Sequence, residues 1–131
     1  MNDKAAYWVE IADYDLETAR AMLEKERFLY VAFMCHRVVE KMLKACYANV
    51  TDGIPPYIHN LRKLAELAGL YGVMSEEQKA LIETLGPLNV EARYPPDKAR
   101  LERILSAQSC RDLLTKTEEI CRWIRQRLSN S

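Results

Sequence analysis

The stretch VVEKMLKACYANVTDGIPPYIHNLRKL, residues 38–64, decides the fold because it contains one helix, its end and the start of the next. Its first part carries Glu40, Lys41 and Lys44, with Glu40 and Lys44 four residues apart in the order that favours an ion pair on a helix. An Asp-Gly pair and a Pro-Pro pair then interrupt the helical pattern. A single His59 follows before helical spacing resumes. The stretch therefore predicts two helices joined by a short loop that presents charged side chains.

Length and composition are typical of one soluble globular domain. The chain has 131 residues, of which 49% are hydrophobic and 29% charged. Lysine plus arginine and aspartate plus glutamate both number 19, so net charge implies no bulk attraction to nucleic acid or to an anionic membrane. The longest apolar run, residues 28–35, is too short to cross a membrane, and the N-terminus does not resemble a signal peptide. We expect a cytoplasmic protein with no membrane association.

The four cysteines, Cys35, Cys46, Cys110 and Cys121, form no C-x-x-C pair, and each falls in a helical pattern. This spacing does not predict a metal site. We interpret the cysteines as small buried apolar residues in a reducing compartment, and we expect no cofactor.

Helical periodicity accounts for most of the chain, and no stretch alternates like a strand. We predict helices over about residues 3–25, 28–49, 60–68, from Ser75 to Gly86-Pro87, and 107–128. Ser75 and Gln78 have the spacing of a capping box, and Gly86-Pro87 should end the fourth helix. Residues 93–97 are predicted to lie outside any helix interior, and residues 98–105 are ambiguous, with a short helical turn as one interpretation. The fold class is all-α: a single-domain antiparallel bundle of four to five helices with short loops, spanning residues 1–131.

Two features of the apolar stripes bear on structure and assembly. Asp15 falls at the centre of the first helix's stripe, which predicts a buried carboxylate with a polar or cationic partner. Tyr30, Phe33 and Met34 lie off the core stripe of the second helix, so the N-terminal half of that helix is apolar on all sides. One small bundle is not expected to cover every side of this segment. The pattern therefore predicts a homodimer.

Four segments resemble HEPN domains in their order and spacing. They are Trp8-x3-Ala12-x2-Asp15-Leu16-x2-Ala19, Val39-Glu40-Lys41-x-Leu43-Lys44-Ala45, Pro56-x2-His59-Asn60-Leu61-x2-Leu64 and Arg93-Tyr94-Pro95. The resemblance implies a four- or five-helix bundle that pairs as a homodimer. Many HEPN domains are encoded beside a minimal nucleotidyltransferase and are similar to the helical substrate-binding half of kanamycin nucleotidyltransferase. Another branch consists of metal-independent ribonucleases, often toxins, which carry an arginine followed after four to six residues by a histidine.

The ribonuclease motif is absent from this sequence. Neither His36 nor His59, the only histidines, follows an arginine at that spacing. A glycine-rich phosphate loop and a Ser-His-Asp set are also missing, so we expect no catalytic activity from this chain alone. The resemblance then favours a nucleotide- or substrate-binding subunit that acts with a separate nucleotidyltransferase, including as one member of a toxin–antitoxin type pair. Two alternatives stay open: a diverged HEPN endoribonuclease toxin and a non-catalytic protein-interaction bundle.

The residues assigned to binding a nucleotide or other phosphate-bearing ligand combine positive charge with an aromatic ring. They are Arg37, Glu40, Lys41, Lys44, His59, Arg93 and Tyr94. Glu40 and Lys41 are included through their match to the Glu-Lys pair of the family. The competing interpretation treats the second-helix residues as a solvated face with one Glu–Lys pair, and His59 as a partner of the loop backbone. For Arg93 and Tyr94 it proposes a turn that ties down a helix end.

Overall fold

The computed structural model describes residues 1–91 and 95–130, and side chains are described for 1–89 and 99–130. The described residues form seven α-helices and one 3-10 turn. These are α1 (Asp3–Glu24), α2 (Phe28–Thr51), α3 (Leu61–Leu67), the 3-10 turn (Tyr71–Val73), α4 (Glu76–Leu85), α5 (Leu88–Glu91), α6 (Pro95–Ile104) and α7 (Ala107–Ser129). No strand occurs within this described part, which confirms the all-α prediction.

Helix α2 is the central element of the bundle. It contacts α1 and α7 along its length and also contacts α3, α4, α5 and α6. The connection between α1 and α2 is only three residues long, and at the opposite end Asn2 Nδ2 donates to Ala48 O at 2.9 Å. The two helices are therefore antiparallel. Because α2 is surrounded, thirteen of its residues are buried, including charged ones.

The ends of the predicted helices depend on the signals that the sequence carries. Ser75 and Gln78 form a capping box at the start of α4, with each side chain accepting from the backbone N–H of the other residue. Helix α4 ends at Leu85, just before the Gly86-Pro87 pair. After α3, Gly69 adopts a φ of 75°, a left-handed conformation that costs glycine little and ends the helix. All five helices expected from periodicity are present.

Residues 95–97 agree with the prediction that they lie outside a helix interior, but the short turn considered for residues 98–105 is part of a longer helix. Residues 95–97 open helix α6, which runs from Pro95 to Ile104 instead of forming a short turn. Proline is tolerated in the first turn of a helix, because the first N–H groups have no partner within the helix. Leu101, which is 2% exposed, holds α6 against the core, and α6 contacts α2. A diproline sequence was therefore a helix start and not a barrier.

The four cysteines lie inside the bundle. All four cysteines are buried free thiols, and burial raises the pKa of Cys35 to about 12. A thiol with so high a pKa is a weak nucleophile, which fits a packing role.

Within the described residues, none of the helices is both long and apolar enough to span a membrane.

Candidate ligand-binding site

The charged side chains of α2 do not form the solvated face that the competing interpretation assumes. Glu40 is 2% exposed and Lys44 is 3% exposed, so both lie inside the protein. Trp8 of α1 and the loop between α2 and α3 cover them. Burial of ionisable groups at one place requires that they pair with one another, because an isolated buried charge is strongly unfavourable.

Glu40 is the centre of this arrangement, which we call the Glu40 cluster: Glu40, Lys41, Lys44 and His59. Lys41 Nζ donates to Glu40 Oε2 at 3.0 Å, and Lys44 Nζ donates to the same oxygen at 3.1 Å. On the other side of the carboxylate, His59 Nδ1 lies 2.9 Å from Oε1. The structure thus brings together four of the seven residues predicted to bind ligand.

Charge in the cluster is not balanced by its members. Burial acts to raise the pKa of Glu40, but the hydrogen bonds and charges of Lys41 and Lys44 outweigh it, and the pKa is lowered from the usual value. Glu40 is therefore ionised at neutral pH and offers one negative charge to two ammonium groups. The cluster keeps an excess of positive charge, which can attract an anion.

His59 gives the cluster its opening to solvent. The loop before α3 is anchored by Pro55, which is buried, and α3 begins after Asn60, whose Oδ1 accepts from Lys63 N at 2.9 Å. This fixes His59 between two restrained points. Its side chain is 48% exposed, whereas that of Lys41 is 13% exposed. With Nδ1 donating to ionised Glu40, the ring's Nε2 is left for contacts outside the protein.

Aromatic rings surround the two ammonium groups. Lys41 Nζ and Lys44 Nζ lie 5.7 Å and 5.5 Å from the centroid of the Trp8 ring, and Lys44 Nζ lies 5.9 Å from that of Tyr57. These distances are within the range of cation–π attraction. The rings let the lysines lie away from water without a second carboxylate, which preserves the excess of positive charge.

His36 is a site residue that the sequence reasoning missed. It is 0% exposed, lies one helical turn before Glu40, and places Nδ1 3.8 Å from Glu40 Oε1. The backbone of His59 lies close enough to the ring to act on its pKa, but neither ring nitrogen meets hydrogen-bond geometry with another described residue. The i,i+4 spacing between His36 and Glu40 is the one signal that could have linked them. Burial lowers the pKa of His36 to about 4, although the charge of Glu40 acts against this shift.

Asp15 and Arg37 pair across α1 and α2. Asp15 is 6% exposed, and its Oδ2 lies 3.5 Å from Arg37 Nε. This is an ion-pair distance without hydrogen-bond geometry, and Oδ2 has no hydrogen-bond partner within the described part of the chain. Arg37 also lies 5.8 Å from the centroid of the Phe33 ring. Arg37 thus pairs with the buried carboxylate of Asp15, and no described contact joins it to the Glu40 cluster.

Arg93 and Tyr94 lie outside the described residues, so their proposed role in binding stays a prediction. A groove of about 530 Å³ lies between α3 and α4 and begins at Asn60, the residue after His59. Arg62 and Lys79 line this groove, and their cationic groups lie 4.8 Å and 5.0 Å from the centroid of the Tyr71 ring. In the described ranges, no group of three or more histidine, cysteine or acidic side chains is placed to hold a metal ion.

An all-helical bundle with a Glu-Lys pair on its central helix and a histidine before the third helix matches the pattern of one family. The HEPN domain family model matches residues 5–127, and the chain belongs to that family. Its structure is similar to the crystal structure of TT1696 from Thermus thermophilus, with a TM-score of 0.80 over 95% of this chain and 98% of that chain. At 18% identity this likeness concerns the fold alone. No curated protein matches the chain.

Proposed function

We propose that this HEPN domain binds a nucleotide or another phosphate-bearing substrate at the Glu40 cluster. The observation that carries the proposal is that one buried carboxylate holds two ammonium groups beside a half-exposed histidine. Phosphate oxygens accept strong hydrogen bonds from such charged donors. His59 and Lys41 are the groups nearest to solvent, whereas Lys44 acts from beneath as a fixed positive charge.

The surroundings of the cluster offer space for the rest of a ligand. The α3–α4 groove begins at Asn60, the residue after His59, and is lined by two cations, Arg62 and Lys79. It is also lined by Glu76 and Glu83, so its charge is mixed, and Lys79 pairs with Glu76 at 3.7 Å. The proposal places the rest of a ligand in this groove, because Asn60, which lines it, follows His59 in the chain. The geometry therefore supports a substrate larger than inorganic phosphate.

The second half of the proposal concerns the partner. Family membership supports a subunit that presents substrate to a separate nucleotidyltransferase, which would supply the transfer chemistry. The proposal includes the case in which the two proteins form a toxin–antitoxin type pair. The Glu40 cluster favours substrate binding because its charged groups are held in place before any ligand arrives.

Replacement of Lys41 by glutamine is expected to weaken binding of adenosine 5′-monophosphate by about tenfold, because a charge-assisted hydrogen bond is lost. Isothermal titration at fixed ionic strength measures this affinity. Lys116→Gln on the exposed face of α7 is the matched control, since it removes the same charge far from the cluster. The proposal would be refuted if the wild-type chain bound neither adenosine 5′-monophosphate nor ribose 5-phosphate at millimolar concentration. Equal affinities for the two lysine variants would refute it as well.

We propose further that the chain forms a homodimer through the N-terminal half of α2. Tyr30 is 56% exposed and Phe33 is half-buried, whereas Met34, which was expected to face outward, packs partly against the chain's own core. Tyr30 and Phe33 thus provide the apolar surface for self-pairing. A twofold axis would cover this surface on both chains at once.

Light scattering at micromolar concentration is expected to give the mass of a dimer for the wild-type chain. Phe33→Asp should raise the dissociation constant by at least about tenfold, because a charged carboxylate would replace an apolar ring in the proposed interface. Val73→Asp is the control, since Val73 is also an exposed apolar residue but lies in the 3-10 turn. A wild-type mass of one chain would remove this assembly from consideration.

A further inference from the structure

Tyr57 occupies an unusual position beside the Glu40 cluster. Its side chain is 92% exposed, more than the other large apolar or aromatic side chains described. The residue follows the diproline of the loop, and Ile58 N donates to Pro56 O at 2.9 Å, which closes a three-residue turn around Tyr57. With Pro55 buried, the backbone that carries this ring is restrained on both sides.

The ring of Tyr57 borders the positive charge of the cluster. Its centroid lies 5.6 Å from that of the His59 ring, with the planes at 66° in an edge-on arrangement. The ammonium group of Lys44 lies 5.9 Å from the same centroid. One face of the Tyr57 ring thus lies toward Lys44, close to the groups that would hold a phosphate, and most of the side chain remains open to solvent.

An exposed aromatic ring on a restrained loop, next to a cationic site, fits one class of ligand. Nucleobases stack on aromatic side chains, and such stacking is tolerant of base identity because every base has a π face. The restrained backbone reduces the ordering cost of contact, since the loop does not have to become ordered when the ligand binds. A sugar phosphate or inorganic phosphate has no planar base to stack on this ring.

We propose that Tyr57 is the stacking platform for the base of the bound ligand, which makes the ligand class a nucleoside phosphate recognised with little base preference. This inference rests on the proposed function, because it assumes that the phosphate lies at the Glu40 cluster. It adds a residue that selects nucleotides over smaller phosphates.

Titration of three probes, adenosine 5′-monophosphate, uridine 5′-monophosphate and ribose 5-phosphate, tests the inference. Tyr57→Ala is expected to weaken both nucleotides by about tenfold, the size of effect typical of a lost stacking residue, and to leave ribose 5-phosphate unchanged. Tyr57→Phe should retain the wild-type affinities, because it keeps the ring. Tyr14→Ala, at an exposed tyrosine of α1, is the matched control.

The outcomes separate the inference from the proposed function. If Lys41→Gln weakens all three probes while Tyr57→Ala changes none, the platform is wrong and the phosphate site stands. If Tyr57→Ala weakens ribose 5-phosphate as much as the nucleotides, the ring supports the loop instead of the base, and the inference fails. If the wild-type chain binds none of the probes, both proposals fail. Circular dichroism of each variant checks that the fold is retained.

Discussion

Replacement of Glu40 by leucine is expected to lower the free energy of unfolding by about 3–5 kcal/mol, the typical cost of removing one partner from a buried ion pair. Lys44 is 3% exposed, and its Nζ donates a hydrogen bond to Glu40 Oε2 at 3.1 Å. Without the carboxylate, that ammonium group would be buried beside the Trp8 and Tyr57 rings, with no acidic partner among the residues whose side chains are described. Urea unfolding, monitored by circular dichroism, measures the loss.

A second variant separates the loss of charge from the loss of packing. Glu40→Leu combined with Lys44→Met replaces the buried pair by apolar groups, and such replacements are often neutral. We expect the double variant to recover more than half of the stability that Glu40→Leu loses. Glu17→Leu on the exposed face of α1 controls for the substitution itself and should change stability by less than about 0.5 kcal/mol. A loss below about 1 kcal/mol for Glu40→Leu would show that the pair is not electrostatically important.

The stability of the wild-type chain is expected to fall in mild acid through His36. Burial lowers the pKa of His36 to about 4 from an ordinary value of 6.5. The unfolded imidazole therefore takes up a proton below about pH 6.5, whereas the folded one stays neutral until about pH 4. The stabilising contribution is complete above pH 6.5 and is lost as the pH falls from 6.5 to 4. With about 1.36 kcal/mol for each unit, the shift corresponds to a loss of up to about 3 kcal/mol.

The comparison that tests this is between the wild-type chain and His36→Leu, which fills the buried position without a titratable group. Urea unfolding at about pH 7, 5.5 and 4.5 should show the wild-type chain losing stability relative to His36→Leu as the pH falls. The carboxyl groups titrate in both proteins, so their contributions cancel in the difference between the two unfolding free energies. The neighbours of the ring, Glu40 and Lys41 on α2 and His59 in the loop, are present in both. A difference that stays constant with pH would contradict the assignment.

Local signals were sufficient for the helices with caps and regular apolar spacing. The Ser75–Gln78 box and the Gly86-Pro87 pair mark real helix ends because their effects act within a few residues. The sequence did not reveal α6, since a diproline excludes helix interior but permits a first turn. Whether a diproline ends one element or starts another depends on what the following residues pack against.

The candidate site shows the limit more clearly. Asp15 was expected to be buried because apolar residues flank it at helical spacing, and it is. Glu40 and Lys44 were interpreted as part of a charged face, and their burial depends on Trp8 and on the loop that carries His59. Periodicity along one helix cannot show which other segments will cover it. For the same reason, the exposed Tyr57 was not distinguished from the other tyrosines.

The central position of α2 also determines how the molecule opens. Because α2 contacts all six other helices described, we expect the backbone amides in its buried middle to reach solvent only when the bundle as a whole comes apart. Short elements at the edge, such as α3 with its seven residues, can separate from fewer neighbours. Hydrogen exchange in α2 thus reports global unfolding, whereas exchange in α3 reports local opening. The Glu40 cluster spans both parts of the molecule. Glu40 lies on α2, where hydrogen exchange is slow, and His59 lies in the segment that leads into α3, where exchange is faster.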